Sequence, residues 1–244
     1  GFTLGTQFEQ YENIFFSPSI SAAHERIDVQ STASSTMKKM DGNFTNVDFS
    51  YGITLDKRNQ VFMPTAGYRT KFIQSLPLVM DSSSLLNGLD VSTYHSFSDD
   101  VIGAIKFHAR MINGLNDEDV RVTSRLYLPS KRLRGFKTSR VGPKDGDDWV
   151  GGNYVTALGF EAQLPNLLPE TSRTDISAFL DTGNVWGVDY SDILDDTNKI
   201  RSSIGVAANV FTVIGPLSFV FAQDLTKAST DETESFNFRI GTSF

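Results

Sequence analysis

Cysteine is absent from the 244 residues, which excludes a disulfide framework and a thiolate metal site. Long apolar runs are absent too, since no stretch approaches the roughly 18 uninterrupted apolar residues that a membrane-spanning helix requires. The first ten residues lack the basic start and apolar core of a signal peptide. These absences exclude a cysteine-based scaffold and a chain built on spanning helices.

Basic residues are in the minority, with 22 Lys and Arg against 29 Asp and Glu, a net charge of −7 and a pI near 5.0. This balance argues against nucleic-acid binding, and we expect no nucleic-acid partner. One segment departs from it. SKRLRGFKTS, at 130–139, holds four basic residues and no acidic one. The segment is a local feature, so its role depends on what surrounds it.

Phenylalanine and tyrosine, by contrast, are abundant, with 19 and 7 residues. Together with many Thr, Ser, Val and Ile residues they favour strands over helices. The mean hydropathy of −0.20 is typical of a soluble protein. It is equally typical of a membrane β-barrel, because half of each barrel strand faces a polar lumen.

The last ten residues, SFNFRIGTSF, alternate between an apolar and a polar face. The apolar face carries Phe236, Phe238, Ile240 and Phe244. A period of two over this length predicts a strand that can cross a bilayer at a tilt. We expect these residues to mark the terminal strand of a membrane sheet.

Six segments upstream repeat the alternation, at 101–111, 120–128, 153–162, 175–181, 201–210 and 215–223. Weaker versions cover 89–97, 67–76 and 44–54, and two more fit before residue 29, which gives about twelve strands. The alternation turns Glu161 and Asp181 toward the polar face, together with Arg121 and Arg125.

These strands predict an all-β fold: a single antiparallel, up-and-down transmembrane β-barrel domain over residues 1–244. From the pattern alone, a soluble sandwich with a dry apolar core is the alternative. Strand length and the alternation of short and long connections favour the barrel. We expect tight turns near 113–119 and 211–216 at the end that holds the C-terminus. Loops 129–152, 187–199 and 225–234 should lie at the opposite end.

Five ordered stretches resemble the barrel of the BamA-type outer-membrane protein assembly factors. They are LDKRNQVFMPTAGYR (55–69), LRGF (133–136), GGNYVTALGFE (151–161), FLDTGNVW (179–186) and GPLSFVFAQDL (215–225), followed by the terminal strand. Leu133 stands where the family has valine, and Met63 interrupts the family's Phe-Pro-Thr-x-Gly loop. A lone Arg-Gly-Phe is uninformative, whereas five matches in order are specific.

The resembling family has a 16-stranded barrel preceded by periplasmic POTRA domains. Counting back from Phe244 places LRGF between the eleventh and twelfth family strands and Gly1 near the fifth. We therefore expect the chain to be the C-terminal part of such a barrel, without the upstream strands and POTRA domains.

The resemblance implies assembly without chemistry: templating of incoming β-strands at a seam between the first and last strands, and thinning of the adjacent bilayer. It implies a bacterial outer-membrane location. The implied partners are unfolded outer-membrane β-barrel substrates, accessory assembly lipoproteins and outer-membrane lipid, and the chain should need no metal or other cofactor.

The sequence leaves three other functions open. A TamA-type or two-partner-secretion transporter would share the Arg-Gly-Phe loop. A passive porin would have a lumen lined by Lys106, Arg121 and Arg125. An enzyme, the most distant alternative, would require a serine paired with a histidine such as His108 and an orienting third group.

The resemblance implies a structural role for the basic segment at 130–139. In the family, this loop folds into the lumen and its arginine meets acidic residues on the next two strands. The matching residues are Arg134, Gly135 and Phe136 in the loop, with Glu161 and Asp181 as acidic partners. An arginine fork holds a carboxylate through two parallel hydrogen bonds, so we expect a structural loop lock. A solvated Arg134 is the alternative.

Overall fold

The computed structural model describes residues 1–33, 38, 41–81, 83–98, 100–164, 174–194, 199–212 and 215–240. Its main strands are β1 (Phe2–Gly5), β2 (Phe8–Tyr11), β3 (Ile14–Ile27), β4 (Gly42–Asp56), β5 (Gly67–Met80), β6 (Ser84–Ser96), β7 (Ile102–Gly114), β10 (Tyr154–Gln163), β11 (Thr174–Trp186), β12 (Arg201–Thr212), β13 (Gly215–Thr226) and β14 (Phe236–Ile240). A small ribbon, β8 (Lys144–Asp145) and β9 (Asp148–Trp149), lies between β7 and β10, and two short 3₁₀ turns complete the elements, Val122–Ser124 and Asp192–Leu194.

The strands form one antiparallel sheet in the order β1-β3-β4-β5-β6-β7-β10-β11-β12-β13-β14. β1 and β2 pair with successive parts of β3, so they act as one interrupted edge strand. From β3 onward, each main strand lies beside the main strand that precedes it in the chain, which confirms the predicted all-β, up-and-down architecture of about twelve strands. Within the described residues the sheet is open, since β1 and β14 are its two edges.

The apolar face of the sheet is exposed, as expected for a surface that lipid covers. On β14, Phe236 and Phe238 are 48% and 45% exposed, and their rings pack beside Phe221 and Phe219 of β13. Other strands continue this face with Ile105, Phe160, Leu180 and Ile204. A sandwich would bury these residues in a dry core, so that alternative is wrong. Phe244 lies outside the described residues.

The opposite face holds the inserted connection and the polar cluster described below. Across the described ranges, no helix has the length and apolar character needed to span a membrane.

The predicted strand at 120–128 is wrong. This segment contains a 3₁₀ turn, and β7 pairs directly with β10, from Met111 opposite Tyr154 to Ile102 opposite Gln163. Its alternation has another cause, because the valines and the arginines are buried alike: Val120 is 1% exposed and Arg125 is 4% exposed. A strand between lipid and lumen would not bury arginines as deeply as valines.

The predicted tight turn near 113–119 is wrong for the same reason. Residues 115–153 form one connection from β7 to β10, so 113–119 and 129–152 lie at the same end of the sheet. We call this the loop end; it also carries the β11–β12 and β13–β14 connections, as expected for 187–199 and 225–234. At the other end β12 and β13 meet tightly, with Thr212 opposite Gly215. The up-and-down order is kept without a strand at 120–128, because β7 pairs directly with β10 and the two are antiparallel.

Candidate functional site

The long connection bends into the inner side of the sheet at residues 129–136. The amide N–H groups of Arg132 and Leu133 both donate to the Pro129 carbonyl, which tightens the chain just before the motif. Gly135 then adopts φ +89°, and a Cβ at this position would lie 2.9 Å from the Ala222 Cβ on β13. Glycine is needed here for both reasons, since other residues avoid this backbone region and a side chain would collide.

Apolar side chains hold the bend against the wall. Leu133 and Phe136 are 1% and 2% exposed. They belong to one buried cluster whose other members are Leu128, Val141, Val155, Ala157 and Val185, the last three from β10 and β11. The motif's phenylalanine therefore packs on the inner faces of the two strands that also carry the acidic partners.

The structure brings Arg134 together with both predicted carboxylates. Its Nε donates to Asp181 Oδ2 at 2.7 Å and its Nη2 to Asp181 Oδ1 at 2.8 Å, a two-point fork. Its Nη1 donates to Glu161 Oε2 at 2.9 Å. The backbone N–H of Arg134 adds a fourth bond, to Asp181 Oδ2 at 3.0 Å.

The surroundings of this cluster favour charge pairing. The Arg134 guanidinium stacks 3.6 Å from the centre of the Phe179 ring, and Lys106 Nζ lies 3.2 Å from Glu161 Oε2. Burial disfavours the charge on Arg134, but hydrogen bonds and charges from Asp181 and Glu161 outweigh this effect and raise its pKa. The arginine thus stays charged while it is nearly enclosed.

Past Phe136 the connection docks on the β13–β14 loop. Phe136 forms a bridge with Thr233, and backbone N–H groups of Glu234 and Lys137 donate to Gly135 and Glu232 carbonyls at 2.9 and 3.0 Å. Beside this contact, the Arg201 fork holds Asp231 through two bonds of 2.9 Å, with both side chains fully buried.

Sequence reasoning placed Arg121 and Arg125 on the polar face but predicted no partner for them, and it gave Arg132 no role. Arg121 Nη2 donates to Asn46 on β4 at 2.9 Å, Arg125 pairs with Asp189 of the β11–β12 loop, and Arg132 Nη2 donates to Asp90 on β6 at 2.9 Å. Alternation along β6 and β7 places Asp90 opposite His108 on the inner face. That signal was available, but nothing in the sequence shows which arginine would reach it.

The arrangement holds the loop against the inner face of the sheet through charge pairs. His108 Nδ1 lies 2.7 Å from Asp90 Oδ1, in a cluster with Arg110 and Arg132. Within the described part of the chain, no group of three or more His, Asp or Glu residues could hold a metal ion.

Comparison with known proteins gives the family. The Omp85 superfamily domain matches residues 1–244. The outer membrane protein assembly factor BamA of Neorickettsia risticii is 27% identical over 222 residues, which cover 89% of this chain and 30% of that protein. The BamA of Neisseria meningitidis serogroup B is 30% identical over 139 residues, 46% of this chain and 17% of that protein.

A solved structure gives the same fold. The crystal structure of BamA from Haemophilus ducreyi lacking POTRA domains 1–3 aligns with a TM-score of 0.83 and 23% identity, over 97% of this chain and 52% of that one. The chain spans about a third or less of the two BamA sequences it matches. The sequence resemblance to BamA-type factors is confirmed, and the chain belongs to the Omp85 superfamily, with the barrel-type sheet of an outer-membrane protein.

Proposed function

We propose that this chain serves in the folding and insertion of β-barrel proteins into the bacterial outer membrane, without catalysing a chemical reaction. Its substrates would be unfolded outer-membrane β-barrel proteins, which it would assemble with accessory lipoproteins and with the surrounding lipid. The names of the relatives support this activity, and the single structural observation that carries it is the four-bond hold of Asp181 and Glu161 on Arg134.

That hold favours an assembly barrel over a passive porin. The residues that would line a porin lumen are engaged instead: Lys106 pairs with Glu161, and Arg125, 4% exposed, pairs with Asp189. A loop fixed across the inner face occupies the path that a wide channel needs. Its function would be to keep the wall near β10 to β13 in one shape while strands are added elsewhere.

The edge of the sheet supplies a surface for strand addition. Among the described residues, β14 is five residues long and pairs only with Leu217–Phe221 of the twelve-residue β13. Unpaired backbone N–H and C=O groups on such an edge are a template for another strand. The apolar face of β14, with Phe236, Phe238 and Ile240, would keep this edge in contact with lipid. Phe244 would extend the same apolar row.

Removing the arginine tests the proposal. Arg134→Ala leaves two inward carboxylates near each other, a loss of about 3–5 kcal/mol for a well-buried pair. We expect lower levels of folded outer-membrane proteins in cells that depend on the variant, measured by the gel mobility of unheated samples. Lys131→Ala is the matched control, because Lys131 is exposed and belongs to the same basic segment.

Wild-type assembly by Arg134→Ala would contradict a role for the hold. The rivals have their own readouts. Large, steady conductance of the purified protein in planar bilayers would favour a porin. Loss of one secreted protein, with general outer-membrane assembly intact, would favour a secretion transporter.

A further inference from the structure

Arg132 and Arg134 lie two residues apart in the loop and reach different strands of the wall. Arg134 binds Glu161 on β10 and Asp181 on β11. Arg132 binds Asp90 on β6, with its Nη2 2.9 Å from Oδ1. The two contacts lie on opposite sides of the place where the loop leaves the sheet, because β6 and β7 precede the connection and β10 and β11 follow it.

Two residues of β7 hold the Asp90 carboxylate in the position where Arg132 reaches it. Its Oδ1 also contacts His108 Nδ1 at 2.7 Å, and its Oδ2 accepts a hydrogen bond from Arg110. Arg110 and His108 come from β7, so the wall itself holds the carboxylate in place. The Asp90 and Arg132 side chains are 17% and 26% exposed, which shields the contact from most of the solvent.

We infer that Asp90 is a second anchor for the loop, and that Arg132 positions the loop by holding the β6–β7 wall while Arg134 holds the β10–β11 wall. The loop then acts as a brace across its own entry point. The biological role of this brace rests on the proposed function, whereas the placement of the loop by Arg132 does not.

The two arginines differ in how they bind. Arg134 uses Nε, Nη1, Nη2 and its backbone N–H, whereas Arg132 reaches Asp90 through Nη2 alone. A lysine ammonium group can make a single-point contact, but it cannot reproduce the two-point fork of a guanidinium. Arg132→Lys should therefore keep the anchor that Arg132→Ala removes, while Arg134→Lys should not restore the fork.

Hydrogen–deuterium exchange in outer-membrane preparations of the protein expressed from its own gene tests the brace. Arg132→Ala should speed exchange of the hydrogen-bonded amides of residues 132–134 roughly ten-fold, the factor that corresponds to about 1.4 kcal/mol. Exchange in β6 and β7 should stay unchanged, because Arg110 still pairs with Asp90 and His108 still contacts it. Arg132→Lys should resemble the parent, and Lys131→Ala is the control on the neighbouring exposed residue.

Asp90→Asn supplies the other half of a double-mutant cycle. We expect it to loosen 129–134 as much as Arg132→Ala, with no further loosening in the double variant. Full additivity of the two changes, or parent-like exchange in Arg132→Ala, would overturn the anchor. These outcomes do not depend on assembly activity. A normal assembly phenotype in Arg134→Ala would contradict the proposed role of the Arg134 hold in assembly, and it would not affect the evidence for the brace.

Discussion

At the scale of single residues, the site depends on what each position excludes as much as on what it binds. Gly135 has φ +89° and leaves no room for a Cβ beside Ala222, and its carbonyl accepts the Glu234 N–H at 2.9 Å. Arg134 can turn toward β10 and β11 only if the next residue makes this bend. The glycine and the arginine are thus one structural unit.

Gly135→Ala should therefore disturb the hold without changing any charge. The strain of a left-handed residue, of order 1–3 kcal/mol, adds to the collision with Ala222. We expect a lower temperature for loss of the fast-migrating folded form on unheated gels. Gly146→Ala is the control, since Gly146 has φ +62° but no atom within 4 Å of the position that a Cβ would take. An equal effect at both positions would show that contact with β13 is unimportant.

At the scale of elements, the connection between β7 and β10 docks on the connection between β13 and β14. Backbone hydrogen bonds join the two segments, and Lys137 Nζ lies 2.9 Å from Glu232 Oε2 at their surface. The Lys137 and Glu232 side chains are half exposed, so their ion pair contributes little to stability. They are suited to report the docking without disturbing it.

Cysteines at these two positions should form a disulfide when the segments are docked. Lys137→Cys with Glu232→Cys introduces the only thiols in this sequence, so any intramolecular bond identifies the pair. We expect rapid cross-linking under mild oxidation, seen as a mobility shift that reductant reverses, and a lower yield when Arg134→Ala is added. Single-cysteine variants control for bonds between molecules. Undiminished cross-linking in the Arg134→Ala background would mean that the arginine does not hold this part of the loop.

At the scale of the whole molecule, the side of the sheet that faces lipid is apolar, whereas the side that faces the loop combines polar residues with the apolar cluster around Leu133 and Phe136. β12 shows the contrast along one strand: Val206 is 46% exposed on the outer face, whereas Ser203 is fully buried against the loop. The hydrophobic effect therefore acts through the bilayer on one side and through the inserted connection on the other.

A single strand can test this division. Val206→Lys places a charge on the lipid face, where it costs about 2–4 kcal/mol near the bilayer midplane. Asn209→Lys places the same side chain on the inner face, opposite Asp175 on β11. We expect urea to unfold the first variant in lipid vesicles at a lower concentration than the parent, and the second at a similar one. Equal destabilisation of both would contradict the assignment of faces.

Sequence reasoning succeeded where a local period carries the information. The strand at 153–162 and the one at 175–181 were predicted on the correct faces, because alternate side chains of any strand point to opposite sides. The same rule failed at 120–128, where an inserted segment mimics the period with arginines and valines that are all buried. Periodicity cannot distinguish a strand between lipid and lumen from a segment buried on every side.

By itself, the sequence determined the class of the sheet, the lipid-facing rows and the inward direction of Glu161 and Asp181, since all three follow from alternation and composition. Tertiary structure alone decided that β7 pairs with β10, that Arg132 reaches Asp90, and that 137–140 dock on the β13–β14 loop. Arg132 lies 42 positions from Asp90 in the sequence, and Lys137 lies 95 positions from Glu232. Which of these residues meet depends on the position of each strand in the folded sheet. A local residue pattern carries no information about partners so far apart in the sequence.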